Sequence, residues 1–202
     1  MNTNSLHFRF SLIVFSLLIT ACAQQTLTPI ENLQRYQSQL RKIDDWQLKG
    51  RIVVRFSEET DQARLAWKNS SSAYSIRLSG ALGIGTTYIN GDENGVSLEQ
   101  GGKAIVMANN PETLLFNETG WDIPISEMNY WVRGIPSPRN KVTSPQLAPE
   151  GMLMSMEQSG WKLQYSKYKS VGRWNLPGKI IAERDEVRLT LVVNDWTLDD
   201  VN

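Results

Sequence analysis

The chain has 202 residues, balances 21 Lys and Arg against 21 Asp and Glu, and holds one histidine and one cysteine. Those two are His7 and Cys22, so past residue 22 the chain lacks both residue types. That excludes Ser-His-Asp and Cys-His nucleophile systems, His or Cys metal sites and structural disulfides, and the even charge gives no reason to expect nucleic acid or a strongly anionic partner.

In chain order, Arg9 and the free amino group give a modest positive start. Residues 10–18 are apolar except for Ser11 and Ser16, and Leu18-Ile19-Thr20-Ala21 leads into Cys22. This is the layout of a bacterial lipoprotein signal. The run is too short to span a hydrocarbon core of about 30 Å, which needs about 20 apolar residues. Cleavage before Cys22 is expected, followed by a thioether-linked diacylglycerol on its sulfur and an acyl chain on the new amino group. Several chains anchor stably where one is marginal. No cofactor beyond that lipid is expected. Residues 1–21 read as the signal and 22–28 as a short polar tether.

Residues 29–202 read as one domain. Thr28-Pro29-Ile30-Glu31 carries the signature of a capped helix start, and Ile30, Leu33, Tyr36, Leu40 and Ile43 recur at helical spacing. From Asp45 the period changes to two. Trp46, Leu48, Gly50, Ile52, Val54 and Phe56 share one face, then Ala63, Leu65 and Trp67, then Tyr74, Ile76 and Leu78. Such alternation predicts antiparallel strands with one buried face. Further strands are expected at 88–90, 96–99 and 103–107. Two helical pieces follow, one opening at Asn110-Pro111-Glu112 and one at Ser126 that stops near Gly134. Residues 136–150 contain four prolines and read as a loop. Met152, Met154 and Met156 then alternate, followed by Trp161, Leu163 and Tyr165, by 179–184, and by Val187, Leu189, Leu191 and Val193. About ten strands and three helices predict a mainly β fold: one curved antiparallel sheet, partly closed and capped by helices.

Three features carry functional interest. Ala81-Leu82-Gly83-Ile84-Gly85 joins two strands yet is apolar, where such a loop is normally polar and wet. Leu82 either folds back onto the core or serves, with Gly83 and Ile84, as an apolar finger for a membrane or acyl chain. The inward residues Trp46, Phe56, Trp67, Tyr74, Trp131, Met152, Met154 and Met156 suit either a packed core or a cavity for an apolar ligand. Arg51, Arg55, Arg64, Lys68 and Arg77 lie on outward faces, as a solvated surface or a docking patch for an acidic partner. No Gly-rich phosphate loop is present, since Tyr88 stands where Gly83-Ile84-Gly85 would need its third glycine.

Taken together, the chain resembles the outer-membrane lipoprotein receptors of the LolB family. The resemblance rests on Cys22 in its lipobox, Trp46-Gln47-Leu48-Lys49-Gly50-Arg51, Gly80-Ala81-Leu82-Gly83, Tyr130-Trp131-Val132-Arg133-Gly134-Ile135-Pro136, and Val193-Asn194-Asp195-Trp196. It implies a half-open barrel under a lid of about three helices. It implies a monomer, lipid-anchored in the outer membrane and facing the periplasm. Such a protein takes triacylated lipoproteins from the carrier LolA and inserts them without nucleotide. Leu82 falls at the family's protruding loop residue. The acyl-chain cavity would fall among Trp46, Leu48, Ile52, Leu65, Trp67, Tyr74, Ile76, Leu78, Trp131 and Met154. Ala23 also fits, since Asp at that place commonly retains a lipoprotein in the inner membrane. The main alternative is a lipid-anchored half-barrel carrying a free lipid or glycolipid. A cell-wall enzyme using Glu157 or Asp122 would need a polar cleft.

Overall fold

The computed structural model describes residues 29–80 and 85–198. Cys22 with the signal and tether, and Leu82, Gly83 and Ile84, lie outside the described residues. Helix α1 (Pro29–Leu40) precedes strands β1 (Trp46–Phe56), β2 (Glu59–Asn69), β3 (Ala73–Ser79), β4 (Thr86–Asp92), β5 (Gly95–Gln100) and β6 (Val106–Ala108). Helices α2 (Pro111–Thr119) and α3 (Ile125–Trp131) come next. Strands β7 (Val142–Leu147), β8 (Leu153–Gln158), β9 (Trp161–Ser166), β10 (Lys169–Val171), β11 (Trp174–Leu176), β12 (Lys179–Arg184) and β13 (Val187–Leu198) complete the described chain.

Eleven strands form one sheet in the order β6-β5-β4-β3-β2-β1-β13-β12-β9-β8-β7, and β10 and β11 form a separate hairpin. Every pairing is antiparallel. The end strands β6 and β7 are not bonded to each other, so the sheet does not close into a barrel. The chain passes from one open end to the other through α2 and α3, so the helical cover is itself the link between the two sheet edges.

The period-two pattern explains the core. In β1, Trp46, Leu48, Ile52 and Val54 are buried while Lys49, Arg51 and Arg55 are exposed. Beside them, Ala63, Leu65 and Trp67 of β2, Ile76 and Leu78 of β3, and Leu189, Leu191 and Val193 of β13 are buried on the same face. The face continues as one hydrophobic cluster that reaches Leu40 at the end of α1, Ile43 just beyond it, and Leu114 and Leu115 of α2.

The structure corrects the sequence reading in five places. Residues 136–150 hold strand β7, not a continuous loop. Pro145 is tolerated there because β7 is an edge strand, and its register against β8 shifts between Thr143 and Gln146. Met154 is 51% exposed, while Leu153 and Met156 are buried. The inward phase of β8 therefore breaks beside that irregular edge, and the Met152, Met154, Met156 series does not line the interior as a set. Phe56, at the end of β1, is also 51% exposed. Strand β6 begins at Val106, and the β10–β11 hairpin had no period to announce it.

One glycine is fixed by close packing. Lys49 pairs with Asp195 but Gly50 pairs with Val193, so Asn194 is an extra residue in β13. A Cβ on Gly50 would lie 2.2 Å from the Val192 carbonyl oxygen. Gly50→Ala is expected to cost about 1–3 kcal/mol of stability by overpacking. Urea unfolding checks this, and an unmoved midpoint would show that the bulge opens freely.

Candidate functional site: an apolar interior under a helical cover

Between the sheet and its cover lies a small cavity. Its sheet wall is Ile52, Leu65, Trp67, Ile76, Leu78 and Ile89. Its cover wall is Leu115 of α2, Trp121 and Ile123 of the connecting segment, and Ile125 and Met128 of α3. The free volume is about 30 Å³, roughly the share of one water in the liquid. An acyl chain needs many times that volume. The interior holds one only if the cover separates from the sheet.

Five of the anticipated cavity residues therefore meet at this site: Ile52, Leu65, Trp67, Ile76 and Leu78. Trp46, Leu48 and Trp131 are buried in the same core but not on this wall. Tyr74 is half-buried with its ring tight against Gly91, where an added Cβ would come within 2.4 Å of the ring. Met154 does not belong to the interior. The cover residues were missed, although Trp121, Ile123 and Ile125 after Gly120 show a period of two that could have flagged them.

The cover is capped and tied. In α2, the Asn110 side chain accepts from the Thr113 N–H at 2.8 Å, and Gly120 at φ 75° closes the C-terminus with its N–H on Phe116. The Glu112 carboxylate accepts from the Ser126 N–H at 2.8 Å, joining α2 to the start of α3. In the connecting segment Asp122 pairs with Arg184 of β12. Asp122 is thus committed to an exposed ion pair, and Glu157 is exposed on β8, so neither sits in the cleft that the enzyme alternative needs.

The far end of α3 is held more firmly, by buried polar groups. Arg133 is 4% exposed. Its guanidinium donates to the carbonyls of Ile43 at 2.8 Å and Leu40 at 3.3 Å, and to Asn129 at 3.2 Å. It thus caps the ends of α1 and α3 together, where helix carbonyls attract a cation. Its plane also lies 5.5 Å from the Tyr130 ring and 5.9 Å from Trp46. Burial lowers its pKa to about 10. Gln158 of β8 supplies the second tie: its Oε1 accepts from Trp131 Nε1 at 2.7 Å and Ser137 N at 2.9 Å, and its Nε2 donates to the carbonyls of Ser137 and Asn140. Glu127 on α3 accepts from Asn140 at 2.8 Å and Ser159 at 2.6 Å.

Helix α2 has no comparable buried network among the described residues. It lies over β5 and β6 through Leu114 and Leu115, and Phe116 is exposed. The cover is therefore pinned at α3 and held mainly by apolar contact at α2.

An open antiparallel sheet closed on one side by helices also occurs in solved structures of low sequence identity. A LolA superfamily protein from Nitrosomonas europaea shares the fold at TM-score 0.57 and 11% identity, covering 88% of this chain and 96% of that one. The family model described as Outer membrane lipoprotein LolB matches residues 44–196. The outer-membrane lipoprotein LolB of Cellvibrio japonicus is 38% identical over 185 residues, covering 90% of this chain and 91% of that protein. The protein of the same name from Pseudomonas savastanoi pv. phaseolicola is 35% identical over 195 residues, covering 91% and 94%. The chain belongs to the LolB family of outer-membrane lipoproteins, which are receptors for lipoprotein localisation and not enzymes.

Proposed function

We propose that the chain, as a monomer anchored through acyl groups on Cys22, accepts triacylated lipoproteins from the periplasmic carrier LolA and inserts them into the outer membrane without nucleotide. The observation that carries this reading is the apolar-walled cavity under a cover pinned at one end only. Each buried methylene is worth about 0.8 kcal/mol, so acyl chains bare in the periplasm would cost tens of kcal/mol. A carrier must hold them, the receptor must hold them better, and the membrane best. Transfer then runs downhill.

The structure supports a route for the chains. Separation of α2 from β5 and β6 breaks apolar contacts that the incoming acyl groups replace, whereas separation at α3 would strand Arg133, Gln158 and Glu127. Acyl chains therefore enter on the α2 side and press against Ile52, Leu65, Trp67, Ile76 and Leu78. Trp67 stands on that wall with an entirely apolar surface turned to the cavity.

The experiment is transfer of a labelled triacylated lipoprotein from purified LolA to the soluble Cys22→Ala domain, without nucleotide. A stable one-to-one complex is expected. A folded domain that takes nothing from the carrier would sink the receptor reading and turn the search to free lipids.

A further inference from the structure

The outward face of the sheet carries an arrangement that the acyl interior does not use. Arg51 of β1 stands directly opposite Arg64 of β2, and Arg64 stands opposite Ser79 of β3. On the next rung, Lys49 opposes Ala66, Ala66 opposes Arg77, and Arg77 opposes Tyr88 of β4. The four cations surround a shallow depression of about 440 Å³ whose floor is short: Gly50, Ala66 and Ser79. Asp195 is the one acidic residue on its rim. The ion pairs among the described residues, Arg184–Asp122 and Arg188–Glu183, include none of the four.

Like charges directly opposite in a sheet destabilise it. The even total charge of the chain hides this concentration, because the cations gather on one patch. A conflict of this kind, with Asp195 opposite Lys49 as the one acidic group against four cations, points to a ligand of opposite sign.

Position identifies the ligand. The rung Arg51–Arg64–Ser79 ends at Thr86, and the next residue pair, Gly80 and Gly85, is joined by an N–H···O=C bond of 3.1 Å. The patch thus sits at the base of the segment that carries Leu82. Leu82 is three positions along the chain from Ser79, a reach of at most about 10 Å. The headgroup layer on each side of a bilayer is about 5–8 Å thick. A loop entering hydrocarbon would bring the guanidinium groups to the level of the phosphates. Tyr88, half-exposed and 5.9 Å from the Arg77 guanidinium, suits the same wet–dry boundary.

We infer that Lys49, Arg51, Arg64 and Arg77 form a surface for the phosphates of anionic phospholipids, which sets how the receptor stands on the membrane; this rests on the reading that the Leu82 segment meets the bilayer. Planar guanidinium forks match phosphate oxygens, and a short-floored depression lets headgroups approach. The attraction weakens with salt.

The test uses the processed, membrane-bound chain with Thr86→Cys as its labelling site, since Cys22 is the only native cysteine. Energy transfer from that label to headgroup-labelled lipid is measured in phosphatidylethanolamine vesicles with increasing phosphatidylglycerol, for the wild-type background and for Arg51→Gln/Arg64→Gln. Lipoprotein delivery is followed in the same vesicles. Transfer should rise with phosphatidylglycerol and fall with salt, and the double variant should need on the order of ten-fold more anionic lipid. Identical responses, or none, would overturn the inference. So would a double variant that keeps its lipid response but takes lipoproteins poorly from the carrier, since the patch would then dock a protein. A lipid response without lipoprotein delivery would uphold the patch and remove the receptor reading instead.

Discussion

Arg133→Ala is expected to destabilise the fold by about 3 kcal/mol or more, because it strips a charged donor from three carbonyls, of which only Leu40 keeps another bond among the described residues, from the Ile43 N–H at 3.2 Å. Those carbonyls belong to Leu40, Ile43 and Asn129. They end two helices that lie far apart in sequence, so the variant loses both a cap and the joint between α1 and the cover. The void beside Trp46 and Tyr130 adds to the loss. Arg133→Lys should recover only part, since a single ammonium cannot spread over three carbonyls as a planar fork does. Urea unfolding of both variants checks this. A loss below about 1 kcal/mol for the alanine variant would show that water readily replaces the guanidinium. Function should follow stability: with its pinned end released, the cover loses its hinge, and acyl uptake should become leaky before it disappears.

Much of this architecture was legible because burial on one face writes a period of two into the chain. Trp46, Leu48, Ile52 and Val54 announce β1, and its neighbours follow the same rule. The pattern failed where a strand has no buried face to keep. Strand β7 is exposed or half-buried along its length and contains Pro145, so nothing in 142–147 reads as β. It also failed where the ladder is irregular, which is why Met154 was assigned inward. The polar ties were invisible for another reason. Gln158 meets Trp131 across 27 residues, and Arg133 meets Leu40 across 93. Such meetings depend on the register and on how α3 lies, neither of which periodicity contains. The same limit applies to the outward arginines. Alternation places Arg51 and Arg64 on one face, but only the pairing of β1 with β2 sets them opposite each other. The family resemblance contributed what no period could: a purpose for the interior and for Leu82.

Leu82→Glu is expected to leave acyl uptake and unfolding almost unchanged while lowering membrane insertion by at least about ten-fold and at most about a hundred-fold. The physical basis is the differential solvation of the two side chains. Leu gains and a carboxylate loses on entering hydrocarbon, by about 3 kcal/mol in total at the bilayer centre, which is the ceiling for a segment that reaches only the outer hydrocarbon. Every 1.4 kcal/mol is about a factor of ten. The fold should not register the change, because the strands that flank this segment are already closed by the Gly80–Gly85 bond and by the Ser79–Thr86 pair. Insertion should register it, because release to the membrane requires that something apolar on the receptor be better placed in lipid than in water. Leu82→Ala should fall between the two, losing apolar area without adding charge. The informative comparison is uptake from LolA against delivery to vesicles for the same preparations. If Leu82→Glu delivered normally, the segment would not enter the bilayer, and release would have to be driven by the cover closing behind the departing chains. If uptake fell in step with delivery, Leu82 would belong to the acyl-binding interior. A selective fall in delivery would place binding and release in separate parts of the chain: the apolar face under α2 and α3 for the first, and the turn between β3 and β4 for the second.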